Sequence, residues 1–165
     1  MFLENLLINT IGTILGGIFL SAIYFIFSEK VFPKKNLTGE WEAILEYTST
    51  SYIPYKGLQV YYKIHILHRG NEIVGTGEKY KEVSSNNIPY EFEFEKRVTL
   101  SLEGYFERKI LTNSKIYINI TEDGRKRETR STFFLELKNE DHLLGKFLST
   151  AANARGYVEL KRITF

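Results

Sequence analysis

Cysteine is absent from this chain, proline occurs three times, and aspartate only at Asp123 and Asp141. Without cysteine there is no thiol nucleophile, no zinc–thiolate centre and no lipoprotein anchor. The missing thiols agree with a reducing compartment without requiring one. The two signs of charge nearly balance: the net charge is +2. That is too small for the broad basic surface that long nucleic acids demand, so no DNA or RNA polymer is expected as a partner. The chain has no repeat, no low-complexity tract and only one long hydrophobic run.

That run, Leu6 to Phe27, is twenty-two residues without a charge. As a helix rising about 1.5 Å per residue it is about 33 Å long, enough to cross a hydrocarbon core of about 30 Å. It does not read as a cleaved signal peptide. Met1-Phe2-Leu3-Glu4 carries no basic residue, the apolar core is too long, and Ser21-Ala22 lies inside it with no cleavage site beyond. A transmembrane helix over residues 1–30 is therefore expected. Lys30, Lys34 and Lys35 flank its C-terminal side and only Glu4 its N-terminal side. Positive charge stays cytoplasmic, so the chain should cross once and leave residues 31–165 in the cytoplasm. Asn36-Leu37-Thr38 and Asn119-Ile120-Thr121 match the glycosylation sequon, and in a cytoplasmic domain they read as chance. Gly12 and Gly16 lie four apart, and Thr13, Gly17 and Ser21 repeat the spacing on the adjacent face. Small residues so placed let helix backbones approach in lipid. Gly12, Gly16 and Gly17 thus point to a homo-oligomer.

Pro33 with Lys34-Lys35-Asn36 reads as a short hinge, giving a linker over 31–36 and one domain over 37–165. β-Branched and aromatic residues alternate with polar ones there. Strands are predicted over 39–48, 59–67, 73–81, 97–107, 115–121, 129–138, 142–149 and 156–163, divided by turn signals such as Arg69-Gly70-Asn71 and Glu122-Asp123-Gly124. Eight strands with no intervening helix predict an all-β fold: an up-and-down antiparallel meander that closes into a lipocalin-like barrel and so hides its edges. Alternation assigns Trp41, Ala43, Leu45 and Tyr47 inward, with Val98, Leu100, Leu102, Gly104 and Phe106, and Val158 and Leu160. The outward positions are charged, which excludes a porin-like wall. Gly39-Glu40-Trp41 opening the first strand and Arg162 ending the last resemble the Gly-x-Trp and late Arg of lipocalin-type barrels, where the Arg packs across the Trp.

Chemistry is sparse. His65 and His68 are three apart on one strand and face opposite ways. His142 and both aspartates fall in turns, there to be solvated. No glycine-rich phosphate loop opens a helix, no serine sits in a nucleophile elbow, and the glutamates fall mostly on the outer face. No catalytic residue, no metal and no cofactor are expected, and the chain is not expected to be an enzyme. Binding is better supported. Among eleven tyrosines, Tyr47, Tyr52, Tyr55, Tyr80 and Tyr105 fall where a barrel mouth should be, and aromatic faces stack on nucleobases. Arg130, Thr150, Asn153 and Arg155 are the polar candidates, since Arg forks onto phosphates. The small-residue run Thr150 to Gly156 suggests backbone approaching something closely.

An N-terminal span joined to a small barrel resembles the membrane-anchored, β-strand-rich effectors of bacterial CBASS antiphage systems, associated with CD-NTases. Leu37-Thr38-Gly39-Glu40-Trp41 and Ala154-Arg155-Gly156-Tyr157-Val158-Glu159-Leu160-Lys161-Arg162 carry the resemblance. It implies a barrel that binds a cyclic dinucleotide and a protein that assembles in the inner membrane. It further implies membrane disruption that stops growth. That family is named for two spans, and one is visible here. Other readings are a membrane-tethered lipocalin-like carrier or sensor of a hydrophobic ligand, and a structural interaction module.

Overall fold

The computed structural model describes residues 2–31, 35–109, 112–124 and 128–163. It divides into two compact units, Met1–Lys35 and Asn36–Phe165. The first is one helix, α1 (Phe2–Val31), whose segment Leu7–Ile26 is long and apolar enough to cross a membrane. The large apolar side chains of that segment are exposed, as those of a helix in lipid would be. Thr13 and Ser21 donate their hydroxyls to the carbonyls of Asn9 and Gly17 at 2.9 and 2.8 Å, which keeps those polar groups satisfied within the helix. Gly12, Gly16 and Gly17 face open space. Pro33 and Lys34 of the expected hinge lie outside the described residues.

The second unit is built from β1 (Gly39–Ser49), β2 (Gln59–Arg69), β3 (Glu72–Val83), β4 (Pro89–Glu91), β5 (Val98–Glu107), β6 (Lys115–Asp123), β7 (Glu128–Asn139), β8 (His142–Ser149) and β9 (Ala154–Arg162). Every pairing is antiparallel, in the order β2-β1-β9-β8-β7-β6-β5-β3, and a β2–β3 ladder closes the ring. The eight long strands are those expected, within two residues at each end. β4 was not foreseen: three exposed residues that pair only with the end of β3 are too short to alternate.

The interior is filled by side chains, as an eight-stranded barrel allows. Trp41, Tyr62, Phe133 and Phe147 are its largest fully buried members, each stabilising the fold by about 2–3 kcal/mol. Gly145 and Gly156 occupy inward positions where neighbouring strands approach sharply. A Cβ at either would stand 1.9 or 1.8 Å from the carbonyl oxygen of Phe134 or Glu46, so these glycines permit the curvature that closes the barrel.

One end of the barrel carries Trp41, whose indole N–H donates to the Leu37 carbonyl at 2.9 Å. The Arg162 guanidinium lies over that indole at 4.5 Å, the packing expected from the sequence. Two expectations need correction. Glu122 is not in a turn but in β6 facing inward, 8% exposed. His142 is not solvated: it opens β8 half-buried, with Nε2 2.7 Å from Glu159.

Candidate functional site

The far end of the barrel gathers the ends of β1, β3, β6 and β8 and the starts of β2, β5, β7 and β9. The interior is apolar below and polar here. The Tyr62 hydroxyl donates to Glu122 Oε1 at 3.0 Å, Ser131 Oγ to Ser149 Oγ at 2.9 Å, and Lys79 Nζ to Glu82 at 3.0 Å. Tyr47, 6% exposed, sets its ring edge-on to Phe147 at 5.0 Å and to Tyr55 at 6.1 Å. Among the described residues no group hydrogen-bonds its hydroxyl. Burial raises the Glu122 carboxyl above the usual carboxylate range, opposed by Lys79 and by the Tyr62 hydrogen bond and reinforced by Glu82. Burial and the nearby Glu122 also push the phenols of Tyr47 and Tyr62 up, so both stay protonated donors.

Around this floor stand cations resting on rings. Lys79 Nζ lies 5.2 Å from the Phe92 ring, Lys81 5.3 Å from Tyr61 and the Arg97 guanidinium 5.5 Å from Phe94. Each cation also holds a glutamate: Glu82, Glu91 and Glu78 respectively.

Not every residue singled out from the sequence reaches this end. Tyr47 and Tyr55 do, and Tyr52 stacks edge-on against Tyr55 at 5.0 Å. Tyr80 does not. It is in phase with outward Val74 and Thr76, lies on the outer wall bonded to Glu42 with Lys63 over its ring, and is left by a β-bulge without a partner on β2. Tyr105 also stands on the outer wall, near the Trp41 end, where Asn71 donates to its hydroxyl at 3.4 Å. Strand alternation sends it outward, beside inward Phe106. Arg130 lies on the rim, largely exposed and paired with Glu128 at 2.7 Å, and the Thr150 hydroxyl accepts its backbone N–H. Asn153 sits in the β8–β9 turn, and Arg155 faces outward from β9. The small-residue run does bring backbone close, but to its own chain: the Ala152 carbonyl accepts the N–H of Ser51 at 2.8 Å and its hydroxyl at 2.7 Å.

Tyr62, Lys79, Glu82 and Glu122 were missed, and a signal for two of them existed. Glu122 is in phase with inward Ile116, Ile118 and Ile120, and Tyr62 with Val60, Ile64 and Ile66. The Glu-Asp-Gly turn signature masked the first.

The outer wall has grooves of its own. One of about 510 Å³ runs between β7, β8 and β9 past Phe134, Lys146, Arg155 and Tyr157. A second, of about 470 Å³, lies beyond Tyr157, past Ile44, Glu46 and Glu159. Among the described residues no three His, Asp or Glu side chains gather as a metal site would.

No protein-family model matches the chain, and neither does any curated protein. Solved structures share the fold. A redesigned β-barrel, b11L5F_LGL, is similar with a TM-score of 0.53 at 12% identity, over 78% of this chain and 92% of that one. A second redesigned barrel, mFAP1, bound to DFHBI, is similar with a TM-score of 0.51 at 8% identity, over 77% and 94%.

Proposed function

We propose that this chain is a membrane-anchored effector whose barrel binds a cyclic dinucleotide at its far end and whose helix then self-associates through Gly12, Gly16 and Gly17. On this reading the assembled helices disrupt the bacterial inner membrane and arrest growth, with the barrel in the cytoplasm. The observation that carries it is the polar floor of Tyr47, Tyr62 and Glu122 beneath cation–aromatic pairs, at one end of an otherwise apolar barrel. Buried polar groups are costly unless used. A ligand with two bases and two phosphates suits this end: bases stack on aromatic faces, and phosphates compete with Glu82 and Glu78 for Lys79 and Arg97. Tyr47, with its free hydroxyl, is a donor for such a ligand. The apolar half is already occupied by Trp41, Phe133 and Phe147, which favours a polar messenger at the rim over a hydrophobic ligand in the lumen. The similar barrel mFAP1 is bound to DFHBI, so ligand binding is within the reach of this architecture. Ligand drives assembly only if it binds the assembled state better.

A thermal-shift screen of the full chain in detergent against cyclic dinucleotides tests this. A true ligand at a hundredfold excess over its Kd stabilises by about 2.7 kcal/mol, a shift of several degrees that Tyr47→Phe and Lys79→Met should diminish. Gly12→Leu with Gly16→Leu should weaken assembly and leave that shift intact. No stabilisation by any cyclic dinucleotide refutes the ligand; assembly and toxicity that survive the glycine changes refute the helix as the executing part.

A further inference from the structure

The outer wall around Tyr157 is divided by charge in a way that complements itself. Tyr157 stands on β9, 56% exposed. Lys146 is its cross-strand partner on β8 and Glu46 its partner on β1. Along β9 itself, Arg155 lies two residues before it and Glu159 two after, all on the same face. Two cations therefore occupy one half of the patch and two acids the other, with the tyrosine between them. The cationic half is the groove that Phe134 and Leu148 make apolar, at 43% and 53% exposure; the acidic half is the groove beside Ile44. Lys146, Arg155 and Glu46 have no ionic partner among the described residues, whereas neighbours such as Arg130 and Lys138 hold Glu128 and Glu136. Glu159 already holds His142 and Lys161, so Glu46 is the free acid of the patch.

We infer that this face docks a second copy of the same chain, about a two-fold axis that lies in the interface and passes Tyr157. Such an axis is what an isologous contact requires, each surface meeting its own copy. A two-fold between the cationic and acidic halves places Arg155 against the partner's Glu46 and Lys146 against the partner's Glu159. It stacks the two Tyr157 rings near the axis and covers Phe134 and Leu148. An exposed apolar patch bordered by unpaired charge is a recognition surface rather than a solvated wall, and complementary charge fixes its register. The barrel wall thus adds an association surface separate from the glycine face of α1. The contact is independent of the far end and of any messenger.

The absence of cysteine makes the test direct. In the full chain, in membranes and without ligand, Tyr157→Cys should yield a disulfide-linked dimer under mild oxidation, and the link can form at no other position. Adding Arg155→Glu or Glu46→Arg should each lower the yield several-fold, and the two reversals in one chain should restore it. Mixing a chain bearing one reversal with a chain bearing the other should give the mixed dimer. The inference is overturned if no cross-link forms, or if the double reversal fails to restore what each single reversal removed. It is also overturned if Arg155→Glu and Glu46→Arg leave the yield unchanged, for then these charges do not set the contact.

Discussion

The guanidinium of Arg162 lies 4.5 Å from the centre of the Trp41 ring, and the same group binds the segment that leads into β1. It donates to the carbonyls of Thr38 at 2.7 Å and Asn36 at 2.8 Å and pairs with Asp141 at 2.8 Å. One side chain therefore covers the buried indole, satisfies backbone carbonyls before the first strand and fastens the β7–β8 turn to the last. Arg162→Ala removes all of this at once. Cation–aromatic contacts with a desolvated ring are worth about 1–2 kcal/mol and hydrogen bonds to a charged group about 1.5–3 kcal/mol. Their effects overlap, so the expected loss is about 3 kcal/mol, or roughly 10 °C in melting midpoint for a domain of this size. Arg162→Lys should recover less than half, because an ammonium cannot span Thr38, Asn36 and Asp141 with one planar fork. A calorimetric scan showing equal stability for Lys and Arg would mean that the fork contributes nothing.

The β8–β9 turn stores strain that can be measured. Ala152 has φ of +54°, a left-handed conformation that costs an L-residue about 1–2 kcal/mol. It is held there by its carbonyl, which receives Ser51 twice; its methyl group contributes no such bond. Ala152→Gly keeps the carbonyl and relieves the strain, against a greater loss of chain entropy of about 0.4–1 kcal/mol. The expected result is a net gain of about 0.5 kcal/mol by denaturant midpoint. Asn153→Gly, at φ of +46°, should gain less, because Asn tolerates this region better. A loss at Ala152 would place the strain elsewhere.

The barrel was legible because its signals are local and repeated. Alternation of period two runs through most of each long strand, and inward Trp41, Leu45, Leu102 and Leu160 fall where it put them. The Arg162–Trp41 contact was legible because both residues anchor strand ends that must meet in a closed ring. Side-chain direction near a bulge was not. The one unpaired residue on β3, Tyr80, reverses the phase beyond it, so Glu82 turns inward beside Lys79. Glu122 was hidden by a turn signature that the strand simply ran through. The short β4 carries no alternation, and nothing local distinguishes its three residues from loop. The self-complementary charge around Tyr157 needs the registers of β1, β8 and β9 together. Residues 46, 146 and 157 become neighbours only once the ring has closed.

Glu122 supplies a pH dependence whose sign is fixed by its surroundings. Burial raises its pKa in the folded chain above the unfolded value; Lys79 and Tyr62 oppose the shift without cancelling it, and Glu82 adds to it. A raised acid binds its proton more tightly when folded. Its contribution is therefore most favourable at low pH and is lost as pH rises from the ordinary carboxylate range through the folded pKa. Glu122→Gln keeps an acceptor for the Tyr62 hydroxyl but cannot ionise. The stability of this variant relative to the parent should be flat below pH ~4 and should climb with pH until the parent carboxyl is fully ionised. The groups facing Glu122 from other strands are Tyr62, Lys79, Glu82 and Tyr47, so the same comparison in a Lys79→Met background should show a larger climb, since the cation that favours the ionised form is gone. Parallel melting curves for parent and Glu122→Gln across pH 4 to 8 decide it. A difference that stays constant, or that shrinks as pH rises, would mean that Glu122 is ionised at no cost in the fold and is held by Lys79 alone.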